Sequence, residues 1–134
     1  SVYKLSKRLL PYLMQHKKSY IIAIASNMAI VGSYGLTAYS VSKAALVELV
    51  KCMSLDFGTK GVMVNSISPG FIDTDMLASA KKVFNINRNW MYTTGGLPKQ
   101  TVDKEDVAKA VEFLLTTHSM NGANIVLDAG YVVR

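Results

Sequence analysis

The run Tyr20 to Ala25, YIIAIA, limits what this chain can become more than any other stretch of it. A strand that is wet on one face alternates apolar and polar residues, whereas a strand apolar at every position needs cover on both faces. That requirement points to a parallel sheet with helices above and below it. The neighbouring sequence supplies the helices. Val2, Leu5, Leu9, Leu10, Leu13 and Met14 recur at three- and four-residue spacing and predict an amphipathic helix over 2–16. After Ser26 comes a loop holding Gly32 and Gly35, then a helical pattern over 38–57 closed by Gly58 and Gly61. Val62 to Ile67 reads as a second buried strand, ended by Ser68-Pro69-Gly70. A short helix is expected from about Thr74 to Lys82, followed by an irregular stretch through Gly95-Gly96 and Pro98. Asp103 is placed to cap a helix reaching about Thr117, with Glu105 and Asp106 favourable in its first turn. Asn124 to Leu127 reads as a last strand, from which Asp128-Ala129-Gly130 turns away.

Helix and strand therefore alternate as in an α/β protein with a parallel sheet of three strands. A sheet that small, with a strand as apolar as YIIAIA at its margin, leaves an open hydrogen-bonding edge that something should cover. The 134 residues, half of them apolar, suit one domain or part of one. The formal charge of +6 is scattered and forms no basic stripe interleaved with aromatics, so solvated helix faces account for it and no nucleic-acid partner is expected. Cys52 is the single cysteine, which excludes an intrachain disulfide and a multi-cysteine metal site, fits a cytoplasmic location, and is expected in the core. His16 and His118 have no ligand-spaced partner, so no metal is expected and both belong on the surface or at helix ends. No apolar run approaches the roughly 18 residues that span a bilayer, so no membrane partner is expected.

The chemistry concentrates in Tyr39-Ser-Val-Ser-Lys43, near the start of the second long helix. A spacing of four makes Tyr39 and Lys43 neighbours on one helical face. A phenol is a poor base at neutral pH unless a nearby cation favours the phenolate, and Lys43 can be that cation, with the helix N-terminus adding a weaker push. The pair could then exchange a proton with an oxygen passing between carbonyl and hydroxyl. Taken alone, a tyrosine and a lysine so spaced are more often packing and surface residues. Ser26 changes the odds, because it ends the first strand, and ligands bind at the C-terminal ends of parallel strands. By itself Ser26 would read as a capping serine.

Ser26, the thirteen-residue interval to Tyr39, and YSVSK followed by Ala44-Ala45-Leu46 resemble the active site of the short-chain dehydrogenase/reductase family. Asn65-Ser-Ile-Ser-Pro-Gly70 with Phe71-Ile-Asp-Thr-Asp-Met76 is similar to the segment after the family's next strand, in the form common among 3-oxoacyl-carrier-protein reductases. Asn121 to Gly130, NGANIVLDAG, resembles its last strand and closing turn. The resemblance implies a Rossmann-like, doubly wound parallel sheet, of which this would be the C-terminal catalytic part. It implies an oxidoreductase interconverting a ketone and a secondary alcohol with NADP(H) or NAD(H), most like a 3-oxoacyl thioester reductase. An enzyme of the same family acting on a sugar, steroid or polyol, and a catalytically silent assembly partner, remain the alternatives.

Residue by residue, the resemblance makes Tyr39 the acid/base, Lys43 its tuning cation and a ligand of the nicotinamide ribose, and Ser26 the group that polarises the substrate carbonyl. Tyr39 and Lys43 thus also belong to the cofactor site, together with Pro69 and Gly70 beside the nicotinamide and with Ile72 and Thr74 toward its carboxamide or the pyrophosphate. Met76, Leu77, Phe84, Trp90, Met91 and Tyr92 are expected to line an apolar substrate pocket, with plain packing as the alternative. A homodimer or homotetramer paired through the helices at 2–16 and 38–57 is implied as well. The family's glycine-rich phosphate loop has no counterpart here, and the asparagine of its catalytic tetrad would fall before Ser1. The expectation is a chain without its N-terminal dinucleotide-binding half, and inactive alone. Two departures stand out: Asp128-Ala-Gly where the family has Asp-Gly-Gly, and the lack of a proline-then-arginine pattern in 95–100.

Overall fold

The computed structural model describes residues 1–75, 79 and 101–133. Their elements are α1 (Val2–Leu13), β1 (Ser19–Ile24), α2 (Thr37–Phe57), β2 (Val62–Pro69), α3 (Lys104–Thr116) and β3 (Asn124–Leu127), with short 3-10 turns at Asn27–Ala29, Gly58–Lys60 and Tyr131–Val133. The strands form one parallel sheet in the order β1-β2-β3. β1 pairs with β2 from Ser19 opposite Val62 to Ile24 opposite Ile67, and β2 pairs with β3 from Ser66 opposite Asn124 to Pro69 opposite Leu127.

Strand alternation sends successive side chains to opposite faces, and each face has its own core. On one, Ala23, Val62 and Val64 pack with Leu10 of α1 and with Val50 and Met53 of α2. On the other, Ile67 meets Ala110 and Leu114 of α3, with Ile22, Ile125 and Leu127 alongside. This is the two-sided cover that an all-apolar strand demands, and it places helices on both sides of the sheet as expected.

The central strand also carries polar residues with no exposure, Asn65, Ser66 and Ser68. Each is hydrogen-bonded, which burial requires. Ser66 and Ser68 donate to Asn124 Oδ1 at 3.0 and 2.7 Å. Asn65 Nδ2 donates to the Met120 carbonyl at 2.8 Å and its Oδ1 accepts from Ala123 N at 2.9 Å. Asn121 returns the arrangement: its Oδ1 accepts from Val64 N at 2.9 Å and its Nδ2 donates to the Ser54 carbonyl at 3.0 Å. Side-chain amides thus tie the loop before β3 to β2.

Several element ends differ from the sequence reading, each with a local reason. α1 stops at Leu13 rather than His16, because Gln15 N and His16 N bond to Tyr12 and Leu13 carbonyls in tight turns while Ser19 Oγ takes the Leu13 carbonyl at 2.9 Å. β2 runs two residues past Ile67 to Pro69. Pro69 is tolerated in a central strand because it is the last residue, where the ladder ends. Asp103 does occupy the N-cap position of α3, its carbonyl accepting from Asp106 N and Val107 N. The helix expected at 74–82 falls mostly outside the described residues. Cys52 is a correction: it is exposed on α2, not buried in the core. His16 and His118 are exposed as expected, and His118 Nδ1 pairs with Lys18 Nζ. Among the described residues β1 lies at the sheet margin, with Ile24 partly uncovered.

Candidate active site

β1, β2 and the start of α2 converge at the C-terminal ends of the strands around a cavity of about 320 Å³, at the small end of the range for ligand pockets. Ser26, Tyr39, Lys43, Pro69, Gly70, Ile72 and Thr74 all line it, so every described residue singled out from the sequence meets at one place. Met76, Leu77, Phe84, Trp90, Met91 and Tyr92 lie outside the described residues.

Each of these side chains is held for a local reason. Ser26 follows β1 in extended backbone (φ −168°, ψ 153°) and caps the 3-10 turn, its Oγ accepting from Met28 N at 3.2 Å. The capping role and the cavity position therefore coexist. Tyr39 stands in the first turn of α2, which begins at Thr37. Lys43, one turn on, donates from Nζ to the Ile24 carbonyl at 3.0 Å, the last residue of β1. That bond pins the ammonium beside the strand end, 5.7 Å from the centre of the Tyr39 ring and within cation–π range. A fixed positive charge next to a phenol, in a cavity with mostly apolar walls, is an arrangement suited to proton exchange with a ligand oxygen.

The opposite wall depends on Gly70. A Cβ there would stand 2.9 Å from both Cα and Cβ of Asp128, so only glycine allows the chain after β2 to pass this close to the turn after β3. Gly70 N bonds the Leu127 carbonyl at 2.8 Å. Phe71, next along, packs edge to face on Tyr131 with ring centres 5.4 Å apart. The chain after β3 thus turns back against the site rather than away from it, with Tyr131 buried. Thr74 Oγ1 bonds the Ile72 carbonyl at 3.4 Å, and Ile72 forms a parallel bridge with Val102. Among the described residues no group of three or more His, Cys, Asp or Glu side chains could hold a metal ion.

A family model described as enoyl-(acyl carrier protein) reductase matches residues 1–132. The chain belongs to the short-chain dehydrogenase/reductase family. Among its curated relatives, a 3-oxoacyl-[acyl-carrier-protein] reductase of Chlamydia trachomatis is 33% identical over 133 residues, covering 97% of this chain and 52% of the relative. Meso-2,3-butanediol dehydrogenase of Serratia marcescens is 32% identical over 127 residues, covering 93% and 49%. The chain spans about half the length of the curated relatives it matches. Among solved structures, 4-hydroxyisoleucine dehydrogenase complexed with NADH is similar with a TM-score of 0.83 and 28% identity, covering 98% of this chain and 55% of that one. A protein from Brucella melitensis named ribose-5-phosphate isomerase is similar with a TM-score of 0.89 and 28% identity, covering 98% and 51%. The fold is the Rossmann fold of this family, represented here by three parallel strands and their flanking helices.

Sequence reasoning missed part of the wall. Asn27, Met28, Leu36 and Phe71 also line the cavity. Met28 lies close to Ser26 and Phe71 belongs to a recognised motif, so both could have been found from those motifs. Asn27 and Asp128, which meet across the sheet, leave no local signal because 101 residues separate them.

Proposed function

We propose that this chain is the catalytic C-terminal part of an NAD(P)-dependent oxidoreductase that interconverts a ketone and a secondary alcohol, with a 3-oxoacyl thioester as the favoured substrate class. The observation that carries the reading is the convergence of Ser26, Tyr39 and Lys43 on one cavity at the strand ends. The 3-oxoacyl-carrier-protein reductases among the relatives, and the NADH named with one structural neighbour, support it.

The residues present fit the nicotinamide end of such a cofactor. Gly70 keeps one wall free of side chain, Lys43 offers a cation already fixed by the Ile24 carbonyl, and Thr74 brings a hydroxyl to the cavity. The bound nicotinamide would supply hydride to the carbonyl carbon. Tyr39 would give its proton to the carbonyl oxygen as that oxygen becomes a hydroxyl, and Ser26 would donate a hydrogen bond to the same oxygen. Lys43 would balance the charge left on Tyr39. A separate dinucleotide-binding half, of the sort that the greater length of the relatives has room for, would hold the adenosine end.

The substrate is where a second reading enters. The butanediol dehydrogenase among the relatives favours a small polyol in place of an acyl thioester. The expected assembly is a dimer or tetramer paired through α1 and α2, whose outward faces carry exposed Leu5, Leu9, Tyr12, Val41 and Leu55.

The test is oxidation of NADPH or NADH by the native polypeptide with acetoacetyl thioester or acetoin as substrate. Tyr39→Phe is expected to lower turnover on the order of 10²- to 10⁴-fold while cofactor binding persists. Unchanged turnover in that variant removes Tyr39 from the reaction. Preference for acetoin over the thioester selects the second reading.

A further inference from the structure

Three buried polar groups run in line from the cavity wall inward. Ser26 Oγ donates to Asn27 Oδ1 at 3.4 Å, and Asn27 Nδ2 donates to Asp128 Oδ2 at 3.5 Å. Asn27 is 2% exposed and Asp128 8%. Asp128 also accepts from Gly130 N at 3.1 Å and Val132 N at 2.9 Å, and it is the residue against which Gly70 packs. One residue therefore meets the chain after β2 through its backbone and Cβ, and through its carboxylate the turn after β3 and the side chain that follows Ser26.

We propose that Asn27 is a positioning residue for Ser26, and that Asp128 decides which end of the Asn27 amide faces the serine. The proposal rests on the oxidoreductase reading above and deepens it. An ionised carboxylate only accepts hydrogen bonds, so the amide turns its NH₂ toward Asp128 and leaves its carbonyl for Ser26. Ser26 Oγ already accepts from Met28 N, and its one proton is drawn to Asn27 Oδ1. An amide turned the other way would present a donor to Ser26 Oγ and send the serine proton elsewhere. The bond to Asn27 is long, so a substrate oxygen in the cavity can take the proton over at small cost. Asn27 thus holds the hydroxyl ready and yields it to the ligand. Because Asp128 is itself held by Gly130 and Val132, the turn after β3 has a direct line to the serine.

Two measurements on the native polypeptide test this. The first needs no turnover: the side-chain amide of Asn27 is assigned by ¹⁵N–¹H NMR in the parent, in Ser26→Ala and in Asp128→Asn. A wide separation of its two Hδ2 resonances is expected in the parent and in Ser26→Ala, and its collapse in Asp128→Asn. An Asn27 signal unmoved by Asp128→Asn overturns the proposal. The second is a double-mutant cycle read as kcat/KM for the carbonyl substrate. Asn27→Ala is expected to lower it on the order of ten- to a hundredfold, as for a misplaced reacting group, with the cofactor KM unchanged. Asp128→Asn should also lower it, yet add nothing in the Asn27→Ala background. Additive losses mean that Asp128 acts only through the fold, and overturn the proposal. If Asp128→Asn does not fold, Asn27→Ala decides: it leaves the turn untouched, and an unchanged kcat/KM in it refutes the role. A parent without turnover on any carbonyl substrate defeats the oxidoreductase reading instead, and the NMR comparison alone then judges the Asn27–Asp128 link.

Discussion

Ala129 has a φ of 56°, the left-handed region, where a Cβ crowds the following carbonyl. The strain is about 1–2 kcal/mol for an ordinary residue. Glycine would remove it but would give back roughly 0.5–1 kcal/mol through a freer unfolded chain. Ala129→Gly is therefore expected to raise stability by about 0.5–1 kcal/mol, seen as a higher urea midpoint at unchanged slope. Glycine, which the resemblance leads one to expect here, takes that dihedral angle without strain. The departure was legible in the sequence and the strain was not, since composition carries no φ. The site residues behaved likewise. Ser26, Tyr39 and Lys43 were legible because their spacing is short and fixed by one strand end and one helical turn. Asn27 and Asp128 were not, because their meeting depends on how three strand ends close on one another.

Among the elements, β1 and β2 were the easiest to read, since a strand apolar throughout admits few placements. α2 was harder. Leu46, Leu49, Val50, Met53 and Phe57 face the sheet, while Ala38, Val41, Ala45, Cys52 and Leu55 are exposed, so the helix is apolar on two sides. Periodicity alone cannot say which stripe meets the core, and Cys52 stands on the one that does not. α3 has a single anchor with no exposure, Leu114, set against Ile67 of the central strand. Leu114→Ala removes the side chain that fixes α3 to its face of the sheet. It is expected to cost about 2–5 kcal/mol, measured by chemical denaturation. The same substitution at Leu115, which is exposed, should change stability by no more than about 0.5 kcal/mol.

At the scale of the molecule the candidate site and the outward apolar stripes of α1 and α2 lie apart. The cavity opens at the strand ends, whereas the apolar stripes of α1 and α2 face outward from the layer they form. Pairing of two copies through these stripes predicts that Leu9→Glu combined with Val41→Glu halves the sedimenting mass. The thermal midpoint of the parent, and not of the variant, should then depend on protein concentration. A parent whose midpoint is independent of concentration would speak for a monomer.

The amide clasp between β2 and the loop before β3 has a consequence for motion. Below Ser66 the central strand has no β3 residue beside it, and Asn121 stands in for one by accepting the Val64 amide. That amide sits in the core, yet its protection depends on a loop side chain. Its hydrogen–deuterium exchange should therefore report detachment of the loop and β3 as a unit, at a lower free energy than the opening that exposes amides between β1 and β2. In Asn121→Ala, Val64 would exchange early while Ala23, whose amide faces β2 in the parallel register, keeps its slow rate, revealing a hinge between the third strand and the other two.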